Sequence, residues 1–272
     1  MQHVKAFQNK IDLVSKERAL ENYKTIKEFV KGTIAENATI IPVSAIQGVN
    51  IDKILKELIE IKITEPEKSE SPLFLVARSF DINKPGTPLE KLHGGILGGA
   101  LKQGTLKIGD TIEIKPGYSY KKNNQYHYQT MKSKIISMQK GEYQITKALP
   151  GGSLAIETEL DPSLTKADAL SGGVASTENI LPEITENIKI KYTLFDKVLG
   201  TGKHETIQNI KPNEMLMLSL NTSITVGQVT KTYEKKVDLS LKIPVVPLKG
   251  ESIGIARNLN GHWRLIGFGS IE

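Results

Sequence analysis

Apolar and polar positions alternate in two different rhythms along this chain. Between Ser15 and Gly32, Leu20, Tyr23, Ile26 and Val30 recur at helical spacing, the spacing that puts residues three and four apart on one helix face. Ser15 stands in the N-cap position, Glu17 falls in the first turn and Gly32 supplies a stop, so the pattern predicts a helix over this stretch. Thr39-Ile-Ile-Pro-Val43 reads as a short buried strand. Asn50 is expected to cap a second helix, whose Ile51, Ile54, Leu55, Leu58 and Ile59 form an i, i+3, i+4, i+7, i+8 stripe. Helix, strand and helix of these lengths predict the end of a parallel-sheet α/β domain, residues 1–68. The charged, proline-flanked run Glu65–Pro72 has no apolar anchor and reads as a linker.

Beyond Pro72 the helical rhythm stops. Short β-rich runs follow: Leu73–Ser79, Gly95–Leu101, Thr111–Ile114, Ser133–Met138, Gly152–Ile156 and Gly172–Ser176. Turn signals separate them, at Asn83-Lys-Pro-Gly86, Gly109-Asp110, Pro116-Gly117 and Pro150-Gly151-Gly152. The pattern restarts near Pro182 with Ile188–Leu194, Met215–Leu220, Ser223–Thr230, Val237–Leu241, Ser252–Ala256 and Trp263–Ile271. Two antiparallel β-barrels, at 73–181 and 183–272, are therefore expected after the α/β fragment, which makes the chain mainly β. Trp263 and Phe268 are expected to pack the last barrel.

Composition narrows the chemistry. The 272 residues contain no cysteine, which removes disulfides, thiolate nucleophiles and sulfur-based zinc sites. The five histidines are scattered, and no metal site is expected. No apolar run approaches the roughly 20 residues of a membrane span, and a cytoplasmic protein fits. The net charge of +6 lies wholly beyond residue 71, a mild excess of the kind that steers polyanions such as RNA.

The sharpest local motif is Asn9-Lys10-Ile11-Asp12, between a possible strand and the first helix. Guanine presents two adjacent donors, N1–H and N2–H, and one carboxylate accepts both, a pattern adenine does not match. Asp12 is placed for that role. Asn9 is placed to meet the base and tether neighbouring loops, and the Lys10 stem to cover the ring. Ser44-Ala45-Ile46, at the end of the next strand, offers backbone N–H groups to guanine O6. Ligands of open parallel sheets bind at such strand ends.

Phosphate-reading parts are missing. The nearest match to the cradle G-x-x-x-x-G-K-[ST] is Lys197–His204, which fails at its first glycine and at its hydroxyl position. No aspartate is followed three residues later by glycine, as a Mg2+- and γ-phosphate-sensing segment requires. These residues are thus expected to bind GTP very weakly and not to hydrolyse it; no catalytic residue is assigned.

Asn9–Asp12 and Ser44-Ala45 resemble the last two base-specificity motifs of a translational GTPase. Gly94-Gly-Ile-Leu-Gly-Gly99, Gly104–Asp110 and Ile112–Gly117 are similar to the barrel that follows such a G domain. Val76–Thr87, Leu160–Asp168 and His262–Gly267 point more narrowly to the gamma subunit of archaeal and eukaryotic translation initiation factor 2, and the resemblance covers essentially the whole chain. It implies GTP- and Mg2+-dependent delivery of methionyl initiator tRNA to the small ribosomal subunit, with alpha and beta partner subunits. The alpha subunit would dock on the first barrel and the beta subunit on the G domain. The phosphate loop, both switch segments and any zinc knuckle would precede Asn9 in the family, so a truncated gene product or a degenerate paralogue is expected.

Candidate tRNA contacts are Arg78 and Lys84 beside the glycine segment, Gly98 and Gly99 within it, and Arg257 and Arg264 near the chain end. For the glycines, tight strand packing is an equal reading. Arg78 and Lys84 are candidates for phosphate contact or the alpha-subunit interface, with a plain solvated side chain the preferred reading, and for Arg257 and Arg264 ordinary barrel exterior is an equal one. Two other functions stay open: a non-enzymatic RNA- or protein-docking pair of barrels, and a different translational GTPase such as an elongation factor.

Overall fold

Parallel pairing of Ala6 with Ile40, Phe7 with Ile41 and Gln8 with Pro42 joins β1 (Ala6–Gln8) to β2 (Ile40–Pro42) across the helix α1 (Lys16–Val30), and α2 (Ile51–Ile59) follows. The computed structural model describes residues 4–61, 71–196 and 206–272. Its two compact units are Met1–Glu65 and Pro66–Glu272.

In the first unit the Ser15 hydroxyl accepts the Arg18 N–H at 3.3 Å, the expected cap. Gln8 ties strand to helix: its Nε2 donates to the Ala19 carbonyl at 2.8 Å and to Asn22 Oδ1 at 3.0 Å. Asn50 departs from expectation. Its backbone is left-handed at φ 58°, its side chain caps nothing, and its Nδ2 donates back to the Pro42 carbonyl at 2.7 Å. The left-handed turn points the amide at β2 and away from the helix's free N–H groups. No residue of α1 or α2 is buried, and Leu20, Phe29, Leu55, Leu58 and Ile59 stand exposed.

The second unit holds two barrels. The first comprises β3 (Leu73–Phe80), β4 (Ile96–Gln103), β5 (Leu106–Lys107), β6 (Thr111–Lys122), β7 (Gln125–Lys140), β8 (Tyr143–Gln144), β9 (Lys147–Ala148), β10 (Leu154–Thr158) and β11 (Val174–Thr177). Its strands run β10-β4-β3-β11-β6-β7, and pairing of β7 with β10 closes the ring; β8 extends β7, and β5 pairs with β9. Phe74, Leu97, Ile112, Ile114, Ile135, Met138 and Ile156 fill it. The second barrel comprises β12 (Thr185–Leu194), β13 (Met215–Leu220), β14 (Ser223–Thr232), β15 (Lys236–Val245), β16 (Ser252–Leu259) and β17 (His262–Ile271). It closes in the order β12-β15-β14-β13-β16-β17 around Ile190, Leu216, Leu218, Val229, Leu239 and Ile255. Both rings are antiparallel, so each strand alternates inward apolar and outward residues.

Two expectations are corrected here. Pro116-Gly117 is no turn, because β6 runs through it. A register shift between Ile114 and Tyr118 absorbs the pair as a bulge. Gly117 has φ 83°, and a Cβ there would lie 2.0 Å from the Gln129 carbonyl oxygen. The hairpin turns at Asn123-Asn124, both left-handed, the geometry that two-residue hairpins favour. Trp263 and Phe268 point outward and are 38% and 52% exposed, because the inward positions of β17 are taken by Ile266 and Ile271.

The barrels share a small core of Leu73, Val174, Leu181 and Val246. Beside it Lys115, 3% exposed, sends its ammonium group to the Leu181 and Pro182 carbonyls at 3.2 and 3.3 Å and to Glu183 at 2.9 Å. It also lies 3.9 Å from the buried Glu113 carboxylate. One buried cation thus holds the segment that joins the two rings. The expected linker falls mainly on residues 62–70, and the phosphate-loop lookalike on 197–204; both lie outside the described residues. No described helix is long and apolar enough to cross a membrane.

Candidate functional site

Parallel pairing brings the ends of β1 and β2 side by side, so the turns that follow them meet. Asn9 makes the junction: its Oδ1 accepts the Lys10 N–H at 2.8 Å and the Ala45 N–H at 3.2 Å. Two further bonds lock the ends, from the Val43 N–H to the Gln8 carbonyl at 2.8 Å and from the Ile11 N–H to the Val43 carbonyl at 3.3 Å. Lys10 takes a left-handed backbone, φ 68°, which starts a single 3-10 turn over Ile11–Leu13. Asn9, Lys10 and Asp12 are exposed, and Ile11 is half-buried.

Ser44 is fully buried and its hydroxyl accepts the Gln47 N–H at 3.2 Å. Its own N–H is donated to the Val49 carbonyl at 3.3 Å. With Ala45 held by Asn9, the Ile46 and Gly48 N–H groups of this turn have no partner among the described residues. The Ile46 side chain is exposed. The two loops therefore carry the exposed Asp12 carboxylate and, without partners among the described residues, the Ile46 and Gly48 N–H groups and the amide nitrogen of Asn9. That set complements a guanine edge. It offers nothing for a triphosphate, and no cluster of three His, Asp or Glu side chains suited to a metal occurs among the described residues. The residues present fit the base and do not fit Mg2+ or the phosphates.

On the first barrel, Arg78, Gly98 and Gly99 line an open cleft of about 460 Å³ together with Phe80, Gln139 and Leu154. Gly99 is a packing glycine: a Cβ would sit 1.9 Å from the Leu75 carbonyl oxygen. Gly98 has room, with no atom nearer than 3.5 Å to such a Cβ. Arg78 Nε donates to Asp168 at 2.8 Å, and the same carboxylate oxygen accepts the Ser79 N–H at 3.1 Å. The Arg78 hydrogen bond, then the Ser79 N–H, hold the Asp168 carboxyl below its ordinary value. Lys84 is exposed in the loop after β3.

On the second barrel the two arginines separate. Arg257 is an internal clamp, its side chain 14% exposed. It donates to both Glu214 oxygens and to the Gln208 and Asn209 carbonyls at 2.9 and 3.3 Å. Arg264 lies opposite it in register and is half-buried. Sequence reasoning missed Asp168 and Lys115, since partners 90 residues away for the first and 66 to 68 for the second leave no local signal.

The fold is shared with translation elongation factors of known structure. A bacterial selenocysteine-specific elongation factor matches all of this chain with 40% of its own, at a TM-score of 0.75 and 19% identity. Elongation factor SelB from Methanococcus maripaludis matches 99% of this chain with 59% of its own, at 0.74 and 18% identity. Residues 186–271 match the family model "Initiation factor eIF2 gamma, C terminal". Translation initiation factor 2 subunit gamma from Methanococcus maripaludis (strain C7) is 47% identical, covering 100% of this chain and 66% of that one. The same subunit from Pyrococcus furiosus is 46% identical, over 97% of this chain and 65% of its own. The chain belongs to the family of the gamma subunit of translation initiation factor 2, and it spans about two thirds of the length of these relatives.

Proposed function

We propose that this chain is the base-reading end and the two barrels, at 73–181 and 183–272, of an initiation-factor-2 gamma subunit. Its work is GTP-dependent delivery of methionyl initiator tRNA to the small ribosomal subunit in the cytoplasm, with alpha and beta partner subunits. The observation that carries this is the Asn9 tether to Ala45, which joins the loop of Asp12 to the turn of Ile46 and so supports a shared base-reading role for the two. Asp12 accepts guanine N1–H and N2–H, Ile46 N–H donates to O6, the Asn9 amide meets the base, and Lys10 covers the ring; Ile11 and Ser44 hold the loops.

For tRNA, support comes from the cleft beside Arg78, Gly98 and Gly99, with the exposed Lys84 and the half-buried Arg264 as further candidate cations. Phosphate contacts of this kind position a nucleic acid without reading its sequence. Arg257, spent on Glu214, serves as a clamp.

Within these 272 residues the base is read and the triphosphate is not gripped, since affinity for phosphates comes from a cradle of amides, a lysine and Mg2+. Calorimetric titration is expected to show weak guanosine binding that ignores Mg2+, with Asp12→Asn removing the preference over adenosine. Tight Mg2+-dependent GTP binding would refute this. Titration of fluorescent tRNAs is expected to favour methionyl initiator tRNA over an elongator by at least about tenfold, and Arg78→Glu to weaken it. Equal binding of both tRNAs would assign the chain to an elongation-type carrier instead.

A further inference from the structure

The outer surface of the second barrel carries a wide face without charge. Val226, Met217, Ala256 and Leu265 lie abreast on β14, β13, β16 and β17. The next row is Ile224, Ser219, Gly254 and Phe268, and the pairs Met215–Gln228 and Asn258–Trp263 extend the face at its other end. All are outward positions, alternating with the buried Leu216, Leu218, Thr225 and Ile255. Ile224, Phe268, Leu265, Trp263 and Met215 are exposed by 62, 52, 43, 38 and 37%. An apolar patch this continuous marks an interaction site more often than a bare surface.

Its borders say what it takes. The flanking strands bring Lys191, diagonal to Phe268 through the Thr193–Phe268 pair, and Lys242, which shares with Ile224, Val226 and Ile243 a groove walled on its other side by Tyr126 and Tyr128 of the first barrel. Neither lysine has an ion-pair partner among the described residues. A nucleic acid would need cations across the face, where there are none. A second copy of this chain would set lysine against lysine at both edges. Four strands at about 4.8 Å spacing span roughly 14 Å, close to the ~10–12 Å diameter of one α-helix with its side chains.

We propose that this face receives an amphipathic helix of a protein partner, apolar along one stripe and acidic on both shoulders. The apolar stripe covers Met217, Leu265 and Phe268, and the acidic shoulders meet Lys191 and Lys242. The site is separate from the guanine-reading loops and from the cleft at Arg78, and does not depend on either.

The test uses the 272-residue chain and two synthetic amphipathic peptides of about six turns, with the same leucine stripe and either glutamate or lysine shoulders. Fluorescence anisotropy is expected to show the glutamate peptide binding at least about tenfold more tightly. Leu265→Asp should abolish that binding. Should Leu265→Asp not fold, Lys191→Glu with Lys242→Glu leaves the core untouched and is expected to reverse the peptide preference. Equal binding of both peptides, no binding of either, or unchanged preference in the charge-reversed chain overturns the proposal. So does a concentration-dependent dimer in sedimentation that Leu265→Asp breaks, or an RNA oligonucleotide whose binding that substitution abolishes.

Discussion

At the scale of single residues, the side chains that matter most here are those whose partners are far away in the chain. Asp168 joins Arg78 and the Ser79 N–H across 90 residues, and its carboxyl is held below the ordinary value by those bonds. A lowered folded-state pKa means that the contact adds stability above the unfolded carboxylate value of about 3.9. That stability disappears as pH falls through the lower folded value. Asp168→Asn is therefore expected to make the acid side of the stability profile shallower below about pH 4, with little change at neutral pH in its slope, as followed by urea denaturation at stepped pH. Asn9 shows how much of this was readable. Its residue type and place after a strand announced a polar turn. The bond to Ala45, 36 residues on, was legible only as far as parallel pairing was expected to bring two strand ends together.

Helices and strands differ in how much of their apolar surface is covered. In residues 4–61 the buried apolar side chains are Ile40, Ile41 and Val43, while the stripe of α2 leaves Leu55, Leu58 and Ile59 exposed. A two-stranded sheet with two uncovered helix faces buries too little to be stable by itself. Hydrogen exchange is expected to find α1, β2 and α2 the fastest-exchanging elements and the barrel strands β6, β13 and β16 the slowest; slow exchange in α2 would contradict this. The helical spacing announced both helices, and β alternation announced the strands. Asn50 and Pro116-Gly117 were misread because residue type signals a turn or cap without saying whether backbone φ turns the side chain toward the helix or folds the pair into a bulge. Trp263 and Phe268 were misread because β17 is apolar at both parities, so alternation gave no inward side.

For the whole molecule, the orientation of one barrel on the other depends on Lys115. Its ammonium group is enclosed by the carbonyls of Leu181 and Pro182, by Glu183 and by Glu113. One Glu113 oxygen is buried without a hydrogen-bond partner. Removing the cation would leave that carboxylate uncompensated, and breaking such a buried arrangement costs about 3–5 kcal/mol. Lys115→Met is expected to lower the stability of the Pro66–Glu272 unit by an amount of that order. In calorimetry the barrels should then melt in two steps. A single undiminished transition would show that the apolar contact of Leu73, Val174, Leu181 and Val246 suffices to join them.

The residues alone determined the element types, the expectation that Asn9, Asp12 and the Ser44–Ile46 turn read guanine, and the lack of a G-x-x-x-x-G-K-[ST] run in these 272 positions. All of these depend on residue type and on spacings within a turn or two, where the 3.6 and 2 residue periods operate. Tertiary structure decided which face of β17 looks outward, that Arg257 is held by Glu214 while Arg264 lies outside that clamp, and that Lys115 binds one ring to the other. Those outcomes follow from ring closure and strand register, which pair residues tens of positions apart and which a single bulge can shift.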